Sequence, residues 1–366
     1  MSEGQLVATR LDQFLVVELP ELHLPRPVCA PLRMLKELSA QLSSPPTMTL
    51  DGDTLVINDR WRLPTFDAAE FPINRALRRE IQRVGEFFPI PKDLAALFPA
   101  ISTDESRLQL CGVCFDQPNG KLVSSNGHVL YVLEGLPKGE RRFTVPTDAL
   151  RVVELLQRRA TVYAGYYAST GKDTPDTGSH DFVRFHAPGL QLWTRLVEID
   201  FPDYPNVFPH EQSIIARLTL PRAPLIEALT GALPFLPKKD RPESAKNGVL
   251  LYSVRLGEGV LHYESTETGT YTMIFPAPEW PIGFHAGLNV KYLLNVLKAV
   301  PGNPETVEVA LASDIAPTRW AHGEFTAIIM PMRVFDHFPA ELQAVIHAHK
   351  AQQEIATIEA DERSLS

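Results

Sequence analysis

Three places in the chain hold residue types whose spacing could do chemistry. Cys111-Gly112-Val113-Cys114 has the C-x-x-C spacing of half a zinc site or of a redox pair. Zinc would need a second pair of ligands, and the remaining cysteine, Cys29, stands alone far upstream. On an alternating strand the two thiols would also point to opposite faces. Gly165–Asp173, reading GYYASTGKD, brushes against a phosphate loop. Its first spacing is one residue too long, and Asp173 stands where a Ser or Thr must meet the metal. His128 follows Gly127 in what reads as a turn, but no acid is placed beside it by sequence, so a turn or pocket role suits it better. The 11 histidines include His347 and His349 near the C-terminus, yet neither H-E-x-x-H nor G-x-S-x-G occurs. The expectation is therefore a binding protein and not an enzyme, with no metal and no cofactor.

Composition narrows the class further. A chain of 366 residues with 44% apolar and 22% charged residues has material for two or three globular domains. It contains no apolar run of about 18 residues that would span a membrane. The start, Met1-Ser2-Glu3-Gly4, lacks the basic and apolar pattern of a secretory signal. Three cysteines make no disulfide framework, so a reducing cytoplasm is the expected location. A net charge of −9 argues against a protein coated by nucleic acid, unless the charge is unevenly distributed.

The elements that would position any site recur along the chain. Five times a short strand ending in proline or a small residue precedes an amphipathic helix of about three turns. The instances are Val28–Pro31 then LRMLKELSAQL, Phe88–Pro91 then KDLAALFPAI, Phe143–Pro146 then TDALRVVELLQRR, Leu218–Pro221 then RAPLIEALTGAL, and Gly287–Val290 then KYLLNVLKAV. Proline suits the first turn, where its missing N–H is not needed; Asp148 and Asn289 are candidate N-caps. Alternating segments follow each helix, among them Thr54–Ile57, Trp61–Leu63, Lys121–Ser124, His128–Leu133, Phe182–His186, Gln191–Leu196, Gly248–Val254 and Tyr271–Phe275. Asp51-Gly52, Asn119-Gly120, Pro188-Gly189 and Gly257-Glu258-Gly259 separate them as turns. The fold class read here is α+β, with repeated strand–helix–three-strand units.

Charge is unevenly placed. The five helices hold Arg33, Lys36, Lys92, Arg151, Arg158, Arg159, Arg222, Lys291 and Lys298 against Glu37, Asp93, Asp148, Glu154 and Glu227. If they share one face, that face is basic on an acidic protein and would attract phosphates without reading bases. Solvated lysines and arginines on helices are the plainer explanation. Between the units, Ile73–Glu86 is a basic linker (Arg75, Arg78, Arg79, Arg83) that could form a short helix, Ser169–His180 reads as a loop, and 335–366 as an appended, helix-prone tail.

Four segments carry a resemblance. Glu105–Val132 contains Ser125-Asn126-Gly127-His128-Val129-Leu130, Thr194–Pro209 reads TRLVEIDFPDYPNVFP, Asn289–Leu294 reads NVKYLL, and Ile329–Val334 reads IMPMRV. In order and spacing they resemble the "T-D-G-H-R-L", "F-P-D-Y", "N-x-x-Y-L-L" and "M-P-M-R-L" signatures of the bacterial sliding clamps, the DNA polymerase III beta subunits. The resemblance covers roughly residues 4–334. It implies a DNA-clamp fold: three similar domains per chain, helices lining a ring and antiparallel sheets outside, closed by two chains as a homodimer around double-stranded DNA. The divisions it suggests are 1–74 (the second half of a first domain), 75–86 (linker), 87–211, 212–334 and 335–366 (extension).

The resemblance also implies sites. A pocket gripping short peptides of the DNA polymerase and clamp loader would involve Leu110, Ser125, Gly127, His128, Val129, Leu130, Pro202, Asn206, Val207, Asn289, Tyr292, Ile315, Pro317, Ile328, Met330, Pro331, Met332, Arg333 and Val334. Apolar walls, adaptable methionines and a few polar groups suit such a task. Core and turn roles are the alternative for these residues, above all for Leu130 and Val207. DNA would be faced by Arg33, Lys36, Lys92, Arg107, Arg151, Arg158, Arg222, Lys291 and Lys298. The subunit contact would use Arg33, Leu35, Leu38, Trp61 and Leu63 against Leu233 and Phe235.

The departures have consequences. Val129 replaces an arginine of the family, and Asn206 a basic or polar residue. Leu108 and Gln109 replace aromatic DNA-facing residues, and Thr147 and Asp148 a basic pair. Weaker DNA binding and altered pocket specificity are expected. Phe335 and Phe338, beyond the usual family end, could fold into the pocket as an internal competitor. Only five units are visible where the family has six. A start lying upstream, two half domains pairing across chains, and an open ring are the three accounts, and a clamp-derived interaction module that does not encircle DNA is the competing function.

Overall fold

The computed structural model describes residues 4–10, 12–71, 81–169, 181–238, 244–334 and 338–348. The chain gathers into two units that interleave along the sequence: Met1–Lys92 with Leu136–Asp200, and Asp93–Gly135 with Phe201–Ser366.

The first unit is built on a six-stranded antiparallel sheet. Its order is β1 (Gln5–Thr9), β2 (Gln13–Glu18), β15 (Leu190–Arg195), β14 (Phe182–Ala187), β13 (Tyr163–Ser169) and β8 (Ile81–Pro89). Alternation decides its faces: Ala164, Val183, Phe185 and Leu192 are buried on one side. β12 (Arg142–Pro146) leads into α2 (Thr147–Gln157), which buries Leu150 and Val153 and lies against β12 and β15. Gln157 Nε2 donates to the carbonyls of Ile90 and Pro91 and fastens the end of α2 to the segment after β8. The same unit holds a smaller module. β3 (Val28–Cys29) pairs with β7 (Phe66–Asp67); β4 (Met48–Asp51), β5 (Thr54–Ile57) and β6 (Trp61–Pro64) form a three-stranded sheet. Helix α1 (Leu32–Ser39) drops Leu35 and Leu38 onto Leu55, Ile57 and Leu63. Leu32, Met34 and Phe66 of this module are left 60%, 41% and 61% exposed.

In the second unit seven strands lie side by side: β9 (Gly112–Asp116), β10 (Lys121–Ser125), β11 (Val129–Glu134), β23 (Phe325–Ile329), β22 (Thr318–His322), β21 (Thr306–Leu311) and β16 (Ala216–Pro221). A four-stranded sheet follows the order β19 (Gly269–Ala277), β18 (Gly257–Ser265), β17 (Gly248–Arg255), β20 (His285–Asn289). Helices α3 (Arg222–Ala232) and α4 (Val290–Ala299) pack on each other through stripes that include Leu225, Leu229, Leu293 and Leu297, all fully buried. A further helix, α5, spans residues 340–348.

Four expectations need correction. The segment 81–86 is not linker or helix: it opens β8, while 73–80 lie outside the described residues. KDLAALFPAI is a 3-10 helix (Leu94–Ala100), because Pro99 supplies no N–H to continue an α-helix. Cys111 caps a 3-10 turn and does not share a strand with Cys114, which is buried in β9. Burial, then Asp104 and Glu105, push the Cys111 thiol above its ordinary pKa, away from the reactive thiolate. Finally, Phe338 is not free to act as a pocket ligand. It packs edge-on against His285 with ring centroids 4.4 Å apart. Leu342 of α5 is fully buried on Leu250, Tyr252 and Val260, with Phe338 and Ile346 beside it. The tail thus straps the four-stranded sheet; Phe335 lies outside the described residues.

Candidate functional site

The residues nominated for the pocket all fall within the second unit. Its central piece is the β10–β11 turn. Asn126 Oδ1 accepts from the backbone N–H groups of His128 (2.9 Å) and Val129 (3.1 Å), an Asx arrangement that closes the turn. Ser125 Oγ accepts from Gly127 N at 3.1 Å and donates to Val129 O at 2.8 Å. Gly127 has φ +90°, which calls for glycine, and a Cβ there would lie 2.8 Å from Arg107 Nη1 and displace that guanidinium. Arg107 is held in turn by Asp104, whose Oδ2 accepts from Nε at 3.0 Å. Hydrogen bonds from Ser106 and then the arginine hold the Asp104 carboxyl below its ordinary pKa.

The turn brings His128 onto Tyr292, with near-parallel rings whose centroids are 5.9 Å apart. Tyr292 is placed by the start of α4, where Asn289 Oδ1 accepts from Lys291 N and Tyr292 N at 2.9 and 3.2 Å. Proline-free and preceded by a strand, that start relies on its asparagine cap. The wall is the segment after β23. Met330 N donates to His128 O and Met332 N to Gly287 O, each at 2.9 Å, so 330–334 runs from β11 to β20. Thr318 pairs with Ile329, which sets Pro317 and Ile315 beside that exit. Ile315 is 82% and Met330 40% exposed, and both offer apolar surface to solvent.

Beneath lies a core cluster of Leu110, Cys114, Val123, Leu130, Val132, Phe201, Tyr204 and Ile328, with Val207 and Phe208 packed on it. Tyr204 donates to Asp116 Oδ2 at 2.7 Å, fixing the 201–208 segment to β9. The site therefore separates into floor and rim. Leu110, Val129, Leu130, Ile328 and Asn289 are at most 7% exposed and can only support a ligand from below. Tyr292, at 8%, lies with them, while Ser125, Gly127, His128, Val207, Ile315, Pro317, Met330, Pro331, Met332, Arg333 and Val334 form the turn, the walls and the neighbouring chain. Pro202 and Asn206 are exposed, and Asn206 Nδ2 donates to Asp203 Oδ2 at 2.7 Å.

The nominated cations divide in the same way. Arg107 backs the pocket turn, a place its position in the sequence did not suggest. Arg222 is also committed: its Nε donates to Leu297 O at 2.6 Å and its Nη2 to Asn303 Oδ1 at 2.9 Å, tying α3 to the end of α4. Arg33 and Arg158 are exposed and paired with Glu37 and Glu154 one turn away. Lys36, Lys92, Arg151, Lys291 and Lys298 carry no carboxylate partner among the described residues. Arg151 and Arg158, and likewise Lys291 and Lys298, stand two helical turns apart and share a face. Of the nominated subunit contacts, Leu38 (7% exposed) and Leu63 (4%) belong to the module core, so they cannot reach a partner. Arg33 is exposed; Leu35, Trp61, Leu233 and Phe235 remain part-exposed. Sequence alone read a turn at Gly127-His128 but missed the Asn126 side-chain hydrogen bonds that close it, and it missed the Tyr204–Asp116 tie.

No family model matches the chain. A beta sliding clamp of Caulobacter vibrioides is 25% identical over 328 residues, covering 85% of this chain and 83% of the relative. Among solved structures, the DNA polymerase III subunit beta of Pseudomonas aeruginosa superposes with a TM-score of 0.73 at 21% identity, covering 91% of each chain. The DNA polymerase III beta subunit of Thermotoga maritima does so with a TM-score of 0.73 at 19% identity, covering 92% of this chain and 90% of that one. With its strand–helix units and antiparallel sheets, the chain carries the fold of the bacterial beta sliding clamps and is similar to one of them in sequence over most of its length.

Proposed function

We propose that this protein is a processivity factor: a homodimeric clamp that encircles duplex DNA and holds polymerase and loader peptides in the pocket around Gly127, Tyr292 and Met330. The observation that supports the reading most is the rim-and-floor arrangement on a clamp fold, where Met330, bonded through its backbone to His128, and Ile315 leave apolar surface exposed near the stacked His128–Tyr292 pair. Adaptable methionine and aliphatic walls with few polar groups suit short apolar peptide motifs from several partners. DNA contact rests on Lys36, Lys92, Arg151, Lys291 and Lys298, with Arg33 and Arg158 able to leave weak surface pairs for phosphate. For the subunit contact, β6 and β19 each stand at an edge of their sheet, with Trp61 on one and Phe235 packed beside Tyr271 of the other. Such edges invite strand addition. The division into repeat domains at 87–211 and 212–334 is part of the same proposal.

The test is primer extension on singly primed circular DNA with a cognate polymerase and loader, with and without the protein. Longer products per binding event, lost in Met330→Glu, are expected. Unchanged product length, together with a monomeric mass in solution, would instead support the interaction module. The uncovered Leu32, Met34 and Phe66, and the commitment of Arg107 and Arg222 elsewhere, are the observations that favour that second reading.

A further inference from the structure

We propose that the six-stranded sheet of the first unit carries a separate binding surface for single-stranded nucleic acid. It lies on the face opposite the buried Ala164, Val183, Phe185 and Leu192, around the part-exposed Arg184, His186 and Trp193; Phe14 and Phe182 on the same face are covered. The register places Arg184 across from Gly165 on one side and Trp193 on the other, and His186 across from Tyr163. Gly165 is what opens the surface: a Cβ there would lie 2.5 Å from the Phe87 ring, so its absence lets that ring lie flat on β13. Arg83 then sits 5.0 Å above Phe87, and Arg184 lies 5.5 Å from Phe87 and 5.4 Å from Trp193. Arg184 Nη1 donates to Tyr167 OH at 3.4 Å, and Tyr167 leans on Trp193 with centroids 4.7 Å apart. His186 packs between Phe87 and Tyr163, at 4.4 and 5.5 Å, and Tyr163 is 41% exposed.

One feature favours an anionic ligand on this platform. Neither Arg83 nor Arg184 has a carboxylate within ion-pair distance among the described residues. Arg184 Nε and His186 Nδ1 are buried without a hydrogen-bond partner, so a ligand on this face would meet the outer atoms of the two side chains and not these nitrogens. A partner for this face would offer anionic acceptors to the two guanidinium groups and planar groups to the part-exposed rings beside them. An acidic peptide would use the arginines and ignore the rings. A duplex offers phosphates but hides its base faces. A single strand offers both at once, by stacking on aromatic rings and by phosphate contact with guanidinium groups, without sequence preference. The inference rests on this face alone and stands whether or not the protein encircles DNA.

The readout is built in. Trp280 and Trp320 are 1% and 0% exposed, so in a Trp61→Phe background Trp193 is the tryptophan within reach of ligand. A short oligothymidylate is titrated into the full chain while tryptophan emission is followed. Saturable quenching that weakens with salt is expected, and Arg184→Gln and Tyr163→Ala should each loosen binding about five-fold or more. Tyr163 is the more exposed of the two, so its variant tests the surface even if Arg184→Gln disturbs the sheet. Absence of quenching, or equal quenching in the Tyr163→Ala variant, overturns the proposal. So does stronger quenching by a polyglutamate peptide, or competition by a blunt duplex that abolishes the signal.

Discussion

Replacing Leu342 by alanine should release the tail from its sheet without unfolding the unit beneath. Leu342 is fully buried, and its neighbours Leu250, Tyr252 and Val260 belong to two strands that have their own ladder. A buried Leu→Ala change costs about 2–5 kcal/mol, because the cavity closes only in part. Here the loss falls on a local docking equilibrium, since α5 is joined to the sheet by side chains: Leu342, Ile346, Phe338 and the Tyr252–Glu341 hydrogen bond. Burial and that hydrogen bond also raise the Tyr252 phenol above its ordinary pKa. Two to five kcal/mol corresponds to roughly 30- to 4,000-fold in the docking constant. Amide hydrogen exchange over 340–348 should accelerate by at least the lower factor, while β17 and β18 keep their protection. The change should also reach the pocket. Segment 330–334 is held by two backbone hydrogen bonds, and the strap anchors its far end. Freeing one residue costs about 1–2 kcal/mol in ordering on binding. A pocket-directed peptide should therefore bind Leu342→Ala more weakly, roughly 5- to 30-fold. Tighter binding would mean that the tail competes for the pocket, and unchanged exchange at 340–348 would refute the docking argument itself.

Other outcomes follow from single contacts. Gly127→Ala forces a side chain into φ +90° and onto Arg107; a loss of about 1–3 kcal/mol in denaturant titration is expected, with peptide binding impaired. Asn289→Ala removes both cap hydrogen bonds of α4, at about 0.5–2 kcal/mol, and should disturb the His128–Tyr292 stack, visible in the His128 ring resonances. Tyr204→Phe leaves buried Asp116 short of a donor, which should cost about 1–3 kcal/mol in the same titration. Burial, then Arg184, hold the His186 pKa below its ordinary 6.5. The unfolded chain then takes up the proton more readily, so this contribution is complete above about pH 6.5 and is lost as pH falls through that value toward the lower folded one. Unfolding midpoints at neutral and mildly acid pH should show a shallower fall in His186→Gln; identical slopes would refute the assignment.

Local signals were legible where chain neighbours decide the structure. The β10–β11 hairpin, the α4 cap at Asn289 and the strands Thr54–Ile57 and Gly248–Val254 are all written in turn residues and alternation. What stayed hidden depends on partners distant in sequence. Strand β8 follows a basic stretch and contains Gly85, and it does not read as a strand without β13 beside it. Leu38 and Leu63 look available to a second subunit until α1 folds over β5 and β6. Arg107 reads as a DNA contact because nothing local says that Gly127 will lie against it. The pocket was visible as a set of motifs, but its separation into buried floor and open rim required the pairing of β11 with β23.

The pairing of β2 with β15 sets a timetable for synthesis. The hairpin of β1 and β2 leaves the ribosome first, but its neighbour arrives only once Arg195 has been made. At ordinary translation speed that is a wait of roughly 10–35 s. Through that interval Phe14 and Val16, which end at 0% and 8% exposure, have no sheet to enter. A nascent chain arrested before β15 should therefore be a client for trigger-type chaperones, and one arrested well after it should not.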